Sequence, residues 1–328
     1  MATLVSKYGL LEQAKRIDPD GKLSTIVEYL NRKMGDILTD APWVPSNDVW
    51  TNKTLRRGNL PTGTWRKMNT GVATEVSRTT EVLDVIGMLE SYAEYDKEYI
   101  DNMPSPAQSR MDEAGAFIEG LGQTLVSTIL YGNANADPDK MHGLAPRLAT
   151  IDSEFVFGAG GTGSDTTSIF VVTWDKLKAF LCYPKNSPTL GIKHEDLGVV
   201  TITDATTAAP ATSQYQGYRD HFQVKCGLVI RDPRAIGRVA NIETAGATNL
   251  FDEDDMIALL NEMETGPGTK IYCNQTIKTQ AEIALKDKTN VNWTVEAGLG
   301  GTPFLKFQGI PVRMIDKRIL LNTETAIS

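Results

Sequence analysis

Three glycines have the spacing of a loop that binds the pyrophosphate of a dinucleotide: Gly158, Gly160 and Gly163. That chemistry requires a strand before the loop and a helix after it, so that the phosphates meet the N-terminus of the helix. Residues 164–168 instead lead into a run rich in β-branched and aromatic residues, which is typical of a strand. The sequence therefore predicts a flexible glycine loop and no cofactor.

The histidines and cysteines lack the spacing of a catalytic or metal site. His142, His194 and His221 form no H-E-x-x-H arrangement, and His194 opens a polar turn with two carboxylates. The cysteines are Cys182, Cys226 and Cys273. Their wide separation predicts buried thiols in a reducing compartment, with neither disulfides nor zinc. We predict no catalytic residue and no metal site. An enzyme whose triad assembles only in three dimensions, with His194 or His221 as base, stays open.

Residues 49–74 carry cations and no carboxylate. The cations are Lys53, Arg56, Arg57, Arg66 and Lys67. Strands are predicted at 49–51, 64–68 and 82–86, with a turn at 58–63. So few apolar residues cannot order a ribbon by burial alone, and we expect it to lie on a partner surface. A nucleic-acid-binding protein that uses the 53–67 basic block is a second alternative.

The charge reverses in the segment that follows. Its carboxylates are Glu90, Glu94, Asp96, Glu98 and Asp101, against a single Lys97. Two blocks of opposite charge so close in sequence predict ion pairs, either within one subunit or between subunits.

The strongest helix signal starts at Ser105, an N-cap residue followed by a proline at the first helical position. An apolar stripe from Met111 to Tyr131 then predicts a helix of roughly 40 Å. Two shorter helices are expected in the first 40 residues, the second with a stripe that ends at Met34 and Ile37, and another after Asp252. The remaining segments are mostly strands, which predicts an α+β fold.

Composition excludes several classes. Lys+Arg 33 against Asp+Glu 41 gives a net charge of -8 over 328 residues, which disfavours a general nucleic-acid binder with a strongly basic surface. The sequence contains no run of about 18 apolar residues, so we predict no membrane span. The charged residues near the N-terminus disfavour a signal peptide.

Four blocks resemble the major capsid proteins of short-tailed, podovirus-type DNA bacteriophages. Residues 60–72 (LPTGTWRKMNTGV) are similar to the signature of that family. Residues 141–147 (MHGLAPR) resemble its F-x-G-L-x-x-R loop, with His142 where an aspartate is expected. The other two blocks lie within 183–198 and 215–234. The similarity runs from about residue 20 to the C-terminus.

The resemblance implies an HK97-like fold with an N-terminal arm, an E-loop, a P-domain with a long spine helix, and an A-domain. We assign 1–45 to the arm, 46–90 to the E-loop, 91–248 to the P-domain with its spine helix at 105–131, and 249–328 to the A-domain. Residues 221–242 look like the closing strands of the P-domain, so a permuted order with the A-domain last is expected.

The resemblance also implies a function without catalysis. Such a protein assembles itself, as pentamers and hexamers, into an icosahedral head that encloses double-stranded DNA without sequence-specific binding. A separate scaffolding protein, a portal and a decoration or cement protein are the expected partners. We expect assembly in the host cytoplasm and a final location in the virion, with no membrane contact. Some HK97-like shells crosslink through Lys–Asn bonds, and Lys53 and Lys67 are the candidate lysines here.

The resemblance places the inter-subunit contacts in the E-loop. The expected contact residues are Lys53, Arg56, Arg57, Trp65, Arg66 and Lys67, with Glu90, Glu94, Asp96, Glu98 and Asp101 as candidate acidic partners. We expect reversal of Arg56 and Arg57 to Glu to block shell formation while the monomer stays folded.

Overall fold

The fold is mixed helix and sheet, seen in a computed structural model that describes residues 32–152, 154–187, 191–203, 214–285, 292–297 and 303–328. The helices are α1 Ile37–Asp40, α2 Lys97–Asp101, α3 Pro106–Tyr131, α4 Leu144–Arg147, α5 Glu253–Glu262 and α6 Gln275–Ala284. The strands are β1 Trp43–Pro45, β2 Thr51–Arg57, β3 Thr79–Val85, β4 Gly87–Asp96, β5 Val156–Gly158, β6 Thr166–Thr173, β7 Ala179–Tyr183, β8 Ile192–Thr203, β9 Gln214–Ile230, β10 Ile236–Glu243, β11 Thr269–Asn274, β12 Trp293–Ala297, β13 Pro303–Phe307 and β14 Ile310–Ile315.

The contacts divide the chain into two compact units. Of the described residues, the first unit holds 88–124, 191–203 and 214–224, and the second unit holds the rest. These boundaries differ from the sequence-based ones at residues 45, 90 and 248. In particular, one sheet contains strands from both sides of residue 249. The names arm, E-loop, P-domain and A-domain stay predictions for the ranges given above.

The first unit packs α2 and the start of α3 against long strands. The hairpin β8–β9 pairs Ile192 with Val224 at one end and Thr203 with Gln214 at the other, and β4 lies on the opposite edge of β9. Its core contains Tyr95, Ile100, Met103, Leu121 and Phe222, all buried. These side chains come from elements that each turn an apolar face inward.

A seven-stranded sheet in the order β12-β13-β14-β11-β6-β10-β5 dominates the second unit. All eight residues of β6 are buried, because it lies at the centre between antiparallel neighbours β10 and β11. Helices α5 and α6 contribute Met256, Leu259, Ile277 and Ala281 to the core on this sheet. A smaller set of strands, β1, β7 and the end of β9, completes the unit.

The end of the chain is tied into the second unit by a buried ion pair. Arg238 donates to Glu324 at 2.9 Å, and both side chains are 5% exposed. Ser168 and Tyr131 also donate to this carboxylate. Burial, then the charge of Glu324, raises the pKa of Tyr131 well above its usual range. Glu324 is therefore buried in this unit and ties the C-terminal residues to it.

Several predicted elements are confirmed. The long helix spans Pro106–Tyr131, and Asp252 caps α5 by accepting a hydrogen bond from the Asp254 amide at 3.0 Å. The final hairpin turns at Gln308 and Gly309, both at positive φ, as a two-residue hairpin turn of type I′ requires. The glycine loop is followed by strand β6, as predicted, and not by a helix.

Other predicted elements are wrong. Residues 64–68 form no strand, and the predicted turn at 58–63 is part of a longer connection between Arg57 and Thr79. The helix expected to reach Ile37 is broken before it, because Gly35 and Asp36 have positive φ. The helices predicted before residue 32 lie outside the described residues. Helix α6 was not predicted, although Asn274 caps it and Ile277 and Ala281 share a face.

Among the described residues, no helix is both long enough and apolar enough to span a membrane.

Candidate assembly interface

The predicted ribbon exists as the antiparallel pair β2–β3. Its register runs from Thr51 opposite Val85 to Arg57 opposite Thr79, in the second unit. Asn52 and Thr54 are buried at its base and hydrogen-bond each other through their side chains at 3.3 Å. The outward side chains of this two-stranded ribbon include Leu55 and Leu83, which are 71% and 56% exposed. A pair of strands with its apolar residues in water does not stabilise itself.

The connection from 58 to 78, which we call the ribbon loop, is exposed along its whole length. Its apolar side chains are solvated: Trp65 and Met68 are almost completely exposed, and Leu60 and Val76 about two thirds or more. Surface tryptophans with no cover are unusual in a stable monomer and are enriched at the centres of protein interfaces. The ribbon loop is therefore the strongest candidate for a contact with another molecule.

Arg56, close to the loop end of β2, fixes the ribbon to its own chain. Its guanidinium donates to the carbonyl of Arg231 at 3.0 Å and also to the carbonyl of Ile230. Burial lowers the pKa of Arg56. Arg56 was expected to contact another subunit, yet its guanidinium hydrogen-bonds to carbonyls of its own subunit. Reversal of Arg56 to Glu would place a carboxylate against two carbonyls, so the double reversal with Arg57 does not isolate assembly from folding.

A second anchor joins the ribbon to α4. Arg147 donates to Asp84 of β3 at 2.7 Å, where Asp84 is 2% and Arg147 14% exposed. Arg147 also donates to the carbonyls of His142 and Leu228 at 3.3 Å. Arg147 closes the block that resembles the F-x-G-L-x-x-R loop, and this contact gives the arginine a physical role. Sequence reasoning missed Asp84, because a single carboxylate in a strand carries no signal of its partner.

The other predicted cations differ in their surroundings. Lys53 lies 3.8 Å from Asp48 and is half exposed, whereas Arg57 is exposed at the end of β2. Arg66 and Lys67 lie beside Trp65 in the exposed ribbon loop. These four cations, unlike Arg56, present charge to solvent. Their contact with a neighbouring copy stays a prediction.

The candidate acidic partners lie in the first unit or at its edge and have contacts there. Glu94 accepts from Arg219 at 3.0 Å, and Glu90 accepts from Gln223 and lies 3.4 Å from His221. Asp96 caps α2, and Asp101 pairs with Lys97 and accepts from Tyr218 at 3.0 Å. Glu98 is exposed on α2. Pairing of these carboxylates with the ribbon of another copy stays a prediction.

The two histidines of the first unit have surroundings typical of structural contacts. His194 stacks on Phe222 with its ring centroid 4.7 Å away, and its Nε2 is 3.4 Å from a carboxylate oxygen of Asp220. His221 stacks on Tyr92 at 4.4 Å. Each imidazole thus lies between an aromatic ring and a carboxylate, which suits an inter-strand contact better than a general base.

The cysteines are free and buried, as predicted, and burial raises the pKa of Cys182 and of Cys273 to about 12. Thiols of that kind are unreactive near neutral pH. Within the described ranges, no group of three or more His, Cys, Asp or Glu side chains could hold a metal ion.

Comparisons with known proteins agree with the capsid resemblance. The family model "Major capsid protein GP7" matches residues 18–328. A solved structure of bacteriophage Epsilon15 matches with a TM-score of 0.75 and 30% identity, over 100% of this chain and 99% of that one. No curated protein gives a significant match.

Two further solved shells match with lower scores. The capsid of a native GTA particle has a TM-score of 0.46 and 9% identity, and it covers 68% of this chain and 95% of its own. The capsid of bacteriophage JBD30 has a TM-score of 0.45 and 13% identity, over 90% of this chain and 92% of that one.

The similarity to the Epsilon15 structure spans nearly the full length of both chains, which confirms the predicted HK97-like α+β fold. Together with the family match, it confirms the predicted role as a structural protein of the shell of a phage virion. This chain belongs to the major capsid protein GP7 family.

Proposed function

We propose that each copy of this chain closes the shell by placing its ribbon loop, residues 58–78, on a neighbouring copy. The observation that carries this proposal is the exposure of Trp65 together with Met68, Leu60 and Val76 on one loop. Burial of a tryptophan removes a large apolar surface from water, so the loop gains stability only when another surface covers it. Arg66 and Lys67 give the same loop a positive charge that orients it on an acidic surface.

The two anchors of the ribbon support the same function. Arg56 and the Arg147–Asp84 pair hold β2 and β3 on their own subunit, while the loop beyond Arg57 reaches outward. A fixed base lowers the conformational entropy that the loop loses when it docks. Each subunit then offers one protruding segment and one receiving surface, which is a heterologous contact that closes into rings.

The finer features of the head follow from this arrangement. Pentamers and hexamers of an icosahedral shell need one contact that tolerates slightly different neighbours, and a long loop on a fixed base suits that need. The acidic net charge of -8 suits a container for double-stranded DNA, because a strongly basic wall would bind the packaged genome. A separate scaffolding protein and a portal are the partners we expect for such a head, a decoration or cement protein is a further candidate, and assembly is expected in the host cytoplasm.

Within this proposal, the seven-stranded sheet of the second unit corresponds to the A-domain and the first unit to the P-domain. The first unit has the start of the long helix α3 and the long hairpin β8–β9, and the second unit has the seven-stranded sheet. The A-domain would then comprise more than residues 249–328.

Two tryptophan variants test the proposal, because one tryptophan is exposed and the other is buried. Trp65→Ala is expected to leave the free energy of unfolding of the monomer within about 0.5 kcal/mol of wild type, while assembly into shells is lost. Trp174→Ala is the matched control: Trp174 is buried and donates to the Tyr272 hydroxyl at 2.7 Å, so its loss unfolds the subunit. Electron microscopy and sedimentation measure assembly. Normal shells from Trp65→Ala would contradict the proposal.

A further inference from the structure

A basic groove lies beside β2 in the second unit. It has a volume of about 680 Å³ and is lined by β2 together with Leu177 and the turn after β9. Its charged lining residues are Lys53, Arg56, Arg57, Arg231, Arg234 and Asp232. Five cations against one carboxylate make this groove strongly positive.

The carboxylates close to the groove leave part of this charge uncompensated. Asp232 pairs with Arg234 at 2.7 Å, and Glu264 pairs with the same arginine at 2.8 Å. Arg56 donates to backbone carbonyls, which are neutral. Lys53 pairs with Asp48 at 3.8 Å, so the charges of Arg57 and Arg231 are the ones that remain available to an acidic ligand.

The groove is apolar as well as basic. Leu55 and Leu177 both line it and are 71% and 72% exposed. A DNA backbone offers nothing to cover two leucines, whereas a polypeptide covers apolar and charged groups at once. The groove thus favours a protein partner over nucleic acid.

This chain itself has a segment of the matching charge. Residues 252–255 (DEDD) are four consecutive carboxylates, at the start of α5 in the second unit. Burial raises the pKa of Asp255, and the charges of Asp252 and Asp254 raise it further. Glu253 accepts hydrogen bonds from Asn292 and Trp293 of its own subunit, whereas Asp252 and Asp254 are exposed. A set of cations would relieve the repulsion between these two carboxylates and Asp255.

We propose that the basic groove binds residues 252–255 of a second copy of this chain. The proposal deepens the proposed function, since it names a second contact between neighbouring shell subunits, beside β2 and separate from the ribbon loop. The groove and the acidic segment are different patches of one subunit. Their pairing is therefore head-to-tail and repeats from copy to copy, as a shell requires.

A charge exchange tests this contact. Arg57 and Asp254 are chosen because both are exposed in the subunit. Arg57→Glu and Asp254→Lys are each expected to weaken association of subunits by at least about tenfold, since each places like charges together. The double variant R57E/D254K restores opposite charges and is expected to return association to within about threefold of wild type. Rescue also shows that neither single variant failed merely through misfolding.

Lys317→Glu and Glu262→Lys are matched controls, because both residues are exposed and lie outside the groove and the acidic segment. Sedimentation of the full chain at several salt concentrations measures association, which should weaken with salt in wild type. If the wild type assembles and R57E assembles equally well, or if the double variant shows no rescue, the groove contact is overturned. The proposed contact of the ribbon loop is not affected by either result. Wild-type chain that stays monomeric at every concentration contradicts both the groove and the shell. A different outcome would assign the groove to nucleic acid and overturn the proposal. In that outcome the wild-type monomer binds duplex DNA in a salt-dependent way, R57E abolishes this binding, and R57E/D254K does not restore it.

Discussion

At the scale of single residues, a buried ion pair fixes the position of the ribbon on its own subunit. Arg147 and Asp84 are both largely out of water, and their 2.7 Å contact joins α4 to the ribbon. A buried carboxylate whose partner is removed keeps its desolvation cost without compensation. The pair therefore matters more for position than for net stability.

Arg147→Ala is expected to lower the free energy of unfolding by about 3–5 kcal/mol, because it leaves Asp84 buried and unpaired. Lys193→Ala is the matched control: the Lys193–Glu195 pair is 46% exposed on both sides, so its loss should cost less than about 1 kcal/mol. Urea unfolding of both variants measures the difference. A loss below about 1 kcal/mol for Arg147→Ala would show that the pair is not an anchor.

Asp196 gives the first unit a defined response to acid. A hydrogen bond from Arg110, 2.9 Å away, lowers the pKa of Asp196. A carboxylate with a lowered pKa stabilises the folded state above its unfolded pKa of about 3.9, and that stabilisation is lost as the pH falls through the lower folded value. Asp196→Asn should therefore flatten the fall in unfolding midpoint below about pH 4, as thermal unfolding across pH 2–6 would show. An identical pH profile for wild type and variant would rule this contribution out.

At the scale of elements, the long helix α3 contains two glycines whose Cβ positions face open space among the described residues. A Cβ added at Gly115 or Gly120 meets no atom within 4 Å. Glycine within a helix costs about 0.5–1 kcal/mol relative to alanine, so the pair weakens the helix of the free subunit.

Gly115→Ala is expected to stabilise the free subunit by about 0.5–1 kcal/mol. Gly132→Ala is the contrasting variant, since its Cβ would lie 2.5 Å from the carbonyl oxygens of Met141 and Thr128 and must destabilise. Thermal unfolding of both variants provides the measurement. A destabilised Gly115→Ala subunit would contradict the open surroundings of that glycine.

Elements with strong local signals were predictable, and contacts between distant residues were not. Ser105 and Pro106 open a helix with a continuous apolar stripe to Tyr131, so α3 was predicted to within one residue. The predicted strand at 64–68 failed because Trp65 and Met68 have the composition of a strand, while no element in the described part of the chain pairs with or covers them. For the interface, composition identified the basic segment, but the use of Arg56 within the subunit depends on the carbonyls of residues 230–231, which no local pattern reveals.

At the scale of the whole molecule, the C-terminal residues are held by contacts within the subunit, whereas the ribbon loop is exposed. The C-terminal residues are fixed: Glu324 pairs with Arg238 in the core of the second unit, and Asn241 donates to the carbonyl of Ile327 at 2.8 Å. The ribbon loop is exposed, and the side chain of Trp65 lies in solvent. On the proposed function, a neighbouring copy in the shell covers this loop.

Removal of residues 324–328 is expected to destabilise the subunit by at least about 3–5 kcal/mol, because Arg238 would stay buried without its carboxylate. The milder variant Glu324→Gln keeps the shape of the side chain and tests the charge alone, with the exposed Glu262→Gln as control. Calorimetry of the free subunit compares them. A truncated subunit as stable as wild type would show that the C-terminal residues do not stabilise it.

The most direct measurement is a near-atomic reconstruction of shells assembled from this chain. The account predicts that residues 58–78 of each copy lie on a neighbouring copy, with Trp65 buried there. A shell in which Trp65 stays in solvent, or folds back onto its own subunit, would contradict the account.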